Sequence, residues 1–290
     1  MIKKLSEAYP VRRICKLLGI SKSAYYNYVN GQTYGISELE ENLQQEVRAI
    51  FDFHKRRYGS RRIQSEMTDK GYEIGRYQVR RLMKVQDLRA IQPKSFVPKT
   101  TISNPSLRRS PNLLLSVPFP TAPNQIIVGD ITYLPLIKTA EKDWLYLAIW
   151  LDLFSRKIVG WQIDDNMEAS LIISALQQVI RNREVAKGLI VHSDGGGQYG
   201  ATDFRELIAL NEFRQSMTRK DNHYDNAFAE SLFSRFKAEL LDGGCFTGLK
   251  SAKLEVFEYI EGYYNTIRKH SSLGYKSPTQ YEEQYWNTRE

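Results

Sequence analysis

The 290-residue chain has few residues that could cross-link it or anchor it outside the cytoplasm. Its two cysteines, Cys15 and Cys245, lie too far apart for a disulfide framework or a zinc-binding spacing. The stretch "MIKKLSEAYP" has no apolar run behind its lysines, so we predict no secretory signal. The most apolar segment, "WLYLAIWLDLF", is short and carries Asp152, which argues against a membrane span. A reducing cytoplasm is the expected environment.

Acidic residues are scarce in the front part of the chain. Residues 1–120 carry 22 Lys and Arg against 10 Asp and Glu, whereas residues 121–290 carry 19 against 23. The net charge of +8 therefore comes from the front part. Such a basic region favours a polyanionic partner, most simply nucleic acid. The alternative is an ordinary solvated surface.

Prolines mark a division of the chain. Seven of the ten lie within residues 93–123, among Ser, Thr and Asn, which predicts an extended linker. The predicted order is a short helix-turn-helix segment, a basic helix-turn-helix-like DNA-binding domain, the linker, a mixed α/β core and a C-terminal helical extension. The corresponding ranges are 1–36, 37–92, 93–123, 124–242 and 243–290.

The part before the linker has helical patterns. "VRRICKLLGISKSAYYNYV" predicts a helix, a turn at Gly19 and a second helix capped by Ser21. "YGSRRIQSEMTDKG" and "GRYQVRRLMKVQDL" predict two further helices with paired arginines. Short tandem helices of this kind are typical of helix-turn-helix DNA binding, and a small helical bundle with surface arginines is the alternative. The candidate DNA contacts are Arg61, Arg62, Arg80 and Arg81.

After the linker the pattern changes to strands. "QIIVGDITYLPL", "WLYLAIWLD" and "RKIVGWQI" are rich in β-branched and aromatic residues and predict an antiparallel meander. A helix, the strand "GLIVHSD", another helix, a short strand and the long helix "DNAFAESLFSRFKAEL" follow. This is the element order of an RNase H-like fold, a mixed α/β class.

Two acids occupy strand positions where acids are uncommon. Asp130 interrupts the first strand, and Asp194 ends the fourth, before a turn of three glycines. A lone Asp at such a place is more often a capping or turn residue. The glycines would let the backbone approach a neighbour closely, such as a DNA phosphate or a metal site.

A third acid, Glu230, lies on the long helix. At 100° per residue, the helix over 226–240 has an apolar stripe and a polar face roughly opposite to it. The stripe consists of Phe228, Leu232 and Phe236. The polar face consists of Asn226, Glu230, Ser234 and Lys237. Glu230 could thus face the strand ends that carry the other two acids, although a solvated helix face is the alternative.

Three converging carboxylates repel one another and need a cation. Oxygen ligands without a nearby His or Cys cluster favour Mg2+ or Mn2+ over zinc. Two such ions can activate a water or a 3′-hydroxyl and stabilise the leaving oxygen of a phosphoryl transfer.

Several segments together resemble a known family. "GDITYL", "HSDGGGQY" and "DNAFAESLFSRFKAEL" are similar to the DDE transposases and integrases, with 35 residues between Asp194 and Glu230 and Lys237 seven after the Glu. "YPVRRICKLLGISKSAYY", "HKRRYGSRRI" and "YYNTIRKHSSLGYKSP" extend the resemblance to the second-frame (OrfB) products of insertion-sequence family three, over almost the whole chain.

The resemblance implies a retroviral-integrase-like catalytic core that cleaves insertion-sequence ends and transfers the strands with Mg2+ or Mn2+, as two ions. It implies that the metal ligands are Asp130, Asp194 and Glu230, with Asn226 and Lys237 as near-site helpers. Arg268 and His270, in the C-terminal motif, are further candidate DNA contacts. The implied partners are double-stranded DNA, further copies of the chain and a first-frame protein, and the implied location is the nucleoid of a prokaryotic cell.

The chain departs from the family pattern at three places. Ile127 stands where many relatives have Trp, Gly195 where Arg or another polar residue is common, and "KDNHYDN" replaces a glycine-containing turn. None of these changes removes a carboxylate. Two other functions stay open from the sequence: an RNase H-like nuclease such as a resolvase, and a non-catalytic DNA-binding regulator that is active only with a first-frame partner.

Overall fold

The structure is a computed structural model that describes residues 5–6, 8–31, 37–93, 109–137, 143–219 and 223–289. The chain divides into two compact units, Met1–Arg89 and Ala90–Glu290. The predicted linker over 93–123 lies outside the described residues between 94 and 108. Within the described ranges, no helix is both long and apolar enough to cross a membrane.

The front unit is helical. Its first two helices follow the predicted pattern, because Ser21 accepts a hydrogen bond from the Ala24 amide (3.1 Å) and Gly19 takes a left-handed backbone (φ 65°) between them. The helices of this unit are α1 (Val11–Leu17), α2 (Lys22–Val29), α3 (Glu38–Phe53), α4 (Ser60–Asp69) and α5 (Arg76–Val85).

Helices α3 to α5 share one apolar core. The core side chains are Val47, Ile63, Met67, Val79 and Leu82, all fully buried. Helices α4 and α5 are joined by a short turn in which Gly71 has φ 86°. This helix–turn–helix pair is the one that the arginine-rich sequence predicts.

The second unit is built on a five-stranded sheet in the order β3-β2-β1-β4-β5. Strands β1 to β3 are antiparallel neighbours, and β4 and β5 run parallel to β1. This confirms the predicted mixed α/β class and its element order. The strands are β1 (Ile126–Pro135), β2 (Trp144–Asp152), β3 (Ile158–Asp164), β4 (Ile190–Ser193) and β5 (Arg214–Met217).

The register of β1 is determined mainly by its pairing with β2. Nine residue pairs join β1 to β2, whereas only three join β1 to β4, from Ile126 to Val128. Gly129 lies opposite Trp150, whose ring is fully buried and stacked on Phe204 (6.1 Å). Any side chain at position 129 would overlap the Trp150 ring, so this pair requires glycine. Strand β1 thus continues beyond β4, and Asp130 lies in that extension.

Helices cover the sheet and tie the C-terminal segment to it. The helices of this unit are α6 (Ala169–Asn182), α7 (Thr202–Leu210), α8 (Ala227–Leu241), α9 (Leu249–Phe257) and α10 (Pro278–Asn287), with a π-helical segment, Glu258–Tyr264, after α9. The Asn265 amide bonds both the N–H and the C=O of Ile158 on β3 (3.0 Å each). Glu282 on α10 is buried against Arg183 (2.7 Å) and Lys157 (3.2 Å).

The apolar face of α8 differs from the predicted stripe. Leu232 and Phe236 are buried as expected, but Phe233 is buried too, whereas Phe228 is 39% exposed. The ring of Phe233 lies edge-on to that of Phe236 (6.5 Å), which in turn packs on Tyr259 (5.0 Å), so the buried arc of α8 extends beyond the predicted stripe. Phe228 instead lies at the surface under the guanidinium of Arg156 (4.3 Å).

Candidate catalytic site and DNA-binding surface

The three predicted acids come from three different elements. Asp130 lies in β1, Asp194 directly follows β4, and Glu230 is in the first turn of α8. Because Val128 pairs with His192 in the parallel ladder, Asp130 and Asp194 each lie two residues further along the chain, at the same level of the sheet. Burial raises the pKa of Asp130 well above its usual value, and the charges of Asp194 and Glu230 raise it further. Asp130 therefore lies within electrostatic range of both other acids.

Backbone amides orient two of the carboxylates. The Ile131 amide donates to Asp130 Oδ1 (2.8 Å), and the Gly196 amide donates to Asp194 Oδ1 (3.0 Å). Burial raises the pKa of Asp194, while the Gly196 hydrogen bond acts in the opposite direction. Each carboxylate is held by its own chain segment and keeps acceptor capacity for another group.

The two predicted helpers lie at the same place. Asn226 is 4% exposed, and its Nδ2 donates to the carbonyl of Gly129 (3.5 Å), the residue before Asp130. The charge of Lys237 lowers the pKa of Asp130, and burial lowers the pKa of Lys237 itself. An amide and an ammonium group thus accompany the acids, as the helix projection predicts.

The donor set fits a divalent cation, although the acids are not closed around one point. In the part of the chain that the structure describes, no three His, Cys, Asp or Glu side chains lie close enough together to hold a metal ion. Asn226 Oδ1 is buried and lacks a hydrogen-bond partner among the described residues. A cation with its bound water would satisfy that oxygen and draw the carboxylates together.

His192 supports this site without being a ligand. Its Nδ1 pairs with Ser216 Oγ (2.8 Å), and its Nε2 pairs with the carbonyl of Asp225 (3.2 Å). Ser216 Oγ already accepts from the Leu113 amide (2.9 Å), so its proton goes to Nδ1, and Nε2–H donates to Asp225. Burial lowers the pKa of His192 to about 4, so the ring is neutral. The histidine has a structural role, because its hydrogen bond to the carbonyl of Asp225 fixes the turn before α8.

Arg109 lies at the site, although the sequence did not predict it there. Residues 109–113, here called the strap, run over β5, where Ser110 Oγ donates to Gln215 (2.9 Å). Arg109 packs on Gly195, where a Cβ atom would lie 2.7 Å from its Nη2, and its charge lowers the pKa of Asp194. The close neighbour that Gly195 admits is therefore this guanidinium. No local pattern links positions 109 and 195, so the sequence places Arg109 only in the linker.

The C-terminal candidates have different surroundings from those predicted. Arg268 is 3% exposed, and its guanidinium forms two hydrogen bonds with the carboxylate of Glu239 on α8 (2.6 and 2.7 Å). The Tyr259 hydroxyl donates to the same carboxylate (2.9 Å). A buried, paired guanidinium is not accessible to DNA, so we correct Arg268 from a DNA contact to a structural ion pair. His270 is partly exposed, with its ring edge-on to Tyr264 (5.0 Å), and its DNA contact remains a prediction.

The front-unit arginines lie on the helix–turn–helix pair. Arg61 and Arg80 are exposed, Arg62 lies over the Tyr58 ring (5.4 Å), and Arg81 bonds Glu40 (2.8 Å). In helix-turn-helix proteins the second helix enters the major groove with its N-terminal residues toward the bases. The second helix of this pair is α5. Its second residue, Tyr77, is 83% exposed and was not singled out from the sequence.

Models of known domain families match both the front helices and the sheet-containing part of the chain. An HTH-like domain model matches residues 38–96, and two integrase core domain models match residues 120–223 and 211–278. Among solved structures, the HTLV-2 integrase catalytic core domain in complex with magnesium is 18% identical, with a TM-score of 0.43, over 56% of this chain and 98% of that one.

Sequence relatives cover nearly the whole chain. The "Insertion element IS600 uncharacterized 31 kDa protein" of Shigella sonnei is 38% identical over 94% of this chain and 98% of its own length. The "Transposase InsF for insertion sequence IS3A" of Escherichia coli (strain K12) is 34% identical over 97% of this chain and 96% of its own length. With its HTH-like domain and its integrase core of RNase H-like fold, the chain belongs to the IS3 family of transposases.

Proposed function

We propose that this transposase cleaves insertion-sequence ends and transfers the strands with Asp130, Asp194 and Glu230 as ligands of two Mg2+ or Mn2+ ions. The observation that supports this most directly is the position of these acids, which come from three separate elements, with Asp130 and Asp194 at the same level of two paired strands. When bound, the ions supply an activated water or 3′-hydroxyl and stabilise the leaving oxygen.

The chain's own residues position this chemistry. The Ile131 and Gly196 amides set the directions of the Asp130 and Asp194 carboxylates. Asn226 joins the start of α8 to Gly129, so the helix that carries Glu230 is aligned with β1. Lys237 offsets part of the negative charge when no cation is present.

The same proposal extends to the partners. The HTH-like domain binds double-stranded DNA, and transposition joins two element ends to a target. Because one chain carries one set of three acids, we propose that at least two copies assemble on the DNA. A first-frame protein that helps to recognise the ends is a further proposed partner, and chromosomal DNA as substrate places the complex at the nucleoid.

A strand-transfer assay with labelled element ends tests the metal requirement. We expect products with Mg2+ or Mn2+, none with a chelator, and DNA binding without turnover with Ca2+, because Ca2+ accepts looser geometry than Mg2+. Running each condition with and without the first-frame product separates an autonomous enzyme from one that needs its partner. Cleavage that persists in the chelator contradicts the proposal, and no product in any condition favours the regulator.

DNA binding by the front unit should depend on phosphate contacts of exposed arginines. We expect Arg61→Gln and Arg80→Gln each to weaken duplex binding and to lower the slope of log affinity against log salt by about 0.9, since each phosphate contact releases a counterion. Fluorescence anisotropy at several salt concentrations measures this slope. Arg214→Gln, an exposed arginine on β5, is the control and should leave it unchanged. Unchanged slopes for the first two variants would favour a helical bundle with merely solvated arginines.

A further inference from the structure

Tyr199 is a buried tyrosine whose hydroxyl is not used within the protein. It lies in the short 3-10 helix Gly197–Gly200 that follows the Asp194 turn, and it is 2% exposed. Its ring packs edge-on against Trp150 (6.0 Å) and Phe204 (5.7 Å). Among the described residues, its buried Oη has no hydrogen-bond partner.

The surroundings of that hydroxyl are acidic. Burial raises the pKa of Tyr199 well above its usual value, and the charges of Asp194 and Asp130 raise it further. The phenol is therefore a hydrogen-bond donor, and its ring lies beside Asp194, since a Cβ atom at Gly196 would lie 3.0 Å from Asp194 Oδ1 and 3.6 Å from Tyr199 Cδ2. A buried donor without an acceptor destabilises a protein, so the unpaired Tyr199 hydroxyl requires an explanation.

The ring is held independently of the acids. Gln215 Nε2 donates to the Tyr199 carbonyl (2.7 Å), and Gln215 is in turn bound by Ser110 of the strap (2.9 Å). The aromatic neighbours fix the ring, so the hydroxyl has a set position. A carboxylate that moves inward can meet this donor without any change of the tyrosine.

We propose that Tyr199 is a positioning residue of the metal site, whose hydroxyl donates to a carboxylate oxygen of Asp194 or Asp130 when these acids close on divalent cations. The inference rests on the proposed role of the acids as metal ligands. The hydroxyl restricts rotation of the carboxylate that it binds, as partners of metal ligands commonly do.

A functional and a structural role for this hydroxyl predict opposite effects of Tyr199→Phe. If the hydroxyl is unpaired in the metal-free protein, its removal leaves thermal stability unchanged or higher. With the cation bound, the same removal loses a hydrogen bond, so metal affinity falls. If the hydroxyl were merely structural, its removal would lower thermal stability both without and with the cation.

Tyr285 provides a matched control. Its Oη is also buried without a partner among the described residues, and it lies on α10 with its ring against Phe154 and Trp286. Tyr285→Phe therefore deletes the same atom from the same kind of environment. We expect it to behave like Tyr199→Phe in the metal-free protein and like the wild type toward metal.

The experiment measures Mn2+ binding by calorimetry and thermal unfolding with and without Mn2+, on the full chain. We expect Tyr199→Phe to bind Mn2+ about tenfold more weakly than wild type, with a smaller Mn2+-induced rise in unfolding temperature. Wild-type Mn2+ affinity in this variant, or a lower unfolding temperature without metal, overturns the inference. Asp130→Asn distinguishes a failure of the proposed metal ligands from a failure of the proposed role of Tyr199. If Asp130→Asn also binds Mn2+ like wild type, the proposed ligands are wrong. If Asp130→Asn loses Mn2+ affinity and Tyr199→Phe does not, only the role of Tyr199 is refuted.

Discussion

Strand transfer is expected to fall by on the order of a thousandfold or more when Asp130, Asp194 or Glu230 is replaced by its amide. An amide keeps the shape of the side chain and removes the charge that holds a divalent cation. Double replacements should lose little more than single ones, because removal of one ligand already disrupts the geometry on which the other two depend. The measurement is product formation from labelled element ends in Mg2+.

Two controls belong to this test. Glu206→Gln removes an exposed acid on α7 and should leave the rate unchanged. DNA affinity of the triad variants should also be unchanged, because the front unit carries the candidate phosphate contacts. Wild-type cleavage by Glu230→Gln would contradict the assignment of the triad and favour the non-catalytic regulator.

The replacements that lower the rate of strand transfer should raise the stability of the metal-free protein, and Asp130 shows why. Burial and two neighbouring carboxylates raise the pKa of Asp130 in the folded state. For an acid whose pKa is higher folded than unfolded, the folded state binds more protons between the two values, so stability falls as pH rises through that window. Asp130→Asn removes this loss. We therefore expect its metal-free unfolding temperature at neutral pH to exceed that of the wild type.

The second large effect concerns the buried pair Glu239–Arg268. We expect Arg268→Ala to lower the free energy of unfolding of the catalytic unit by about 3–5 kcal/mol, since it leaves the Glu239 carboxylate buried without its cation. Chemical denaturation of the full chain measures this loss. Arg205→Ala, at an exposed position on α7, should change stability little.

This result separates the structural role of Arg268 from the DNA contact that the sequence suggests. Loss of a phosphate contact would reduce the salt dependence of DNA binding and leave unfolding unchanged. Loss of the ion pair would lower the free energy of unfolding and leave the salt dependence of DNA binding unchanged. Replacing both partners by apolar residues, as in Glu239→Leu with Arg268→Met, should recover much of the stability, because no isolated charge then remains.

The sequence is informative about the acids because each carries a local signal. Asp130 and Asp194 stand out as charges in apolar strands, and the interval to Glu230 is counted along the chain. The element order was also readable, since strand and helix periodicities are local. Fold class, family and transposase function follow from such signals, whereas the roles of the acids as ligands remain for the experiments above.

Contacts between segments that are distant in the chain could not be predicted from the sequence. Arg109 reaches Gly195 only because the strap runs over β5, and a polar, proline-rich segment gives no sign of that path. Phe233 is buried on the side of α8 that the projection assigns to polar residues, because burial depends on tertiary packing that a single-helix projection does not include. Arg268 belongs to a motif with the appearance of a basic surface, yet its partner Glu239 lies 29 residues earlier, on α8.

The pairing of Gly129 with Trp150 has a consequence for how reliably the active site forms. A strand that slips by one residue turns every side chain to the opposite face of the sheet, and such a slip in β1 would carry Asp130 away from Asp194. A slipped β1 would also place Val128 or Asp130 opposite Trp150, where only a residue without a side chain fits. The buried indole therefore disfavours a slipped register of β1, and we expect a substitution at Gly129 to lower strand-transfer activity by displacing the neighbouring Asp130.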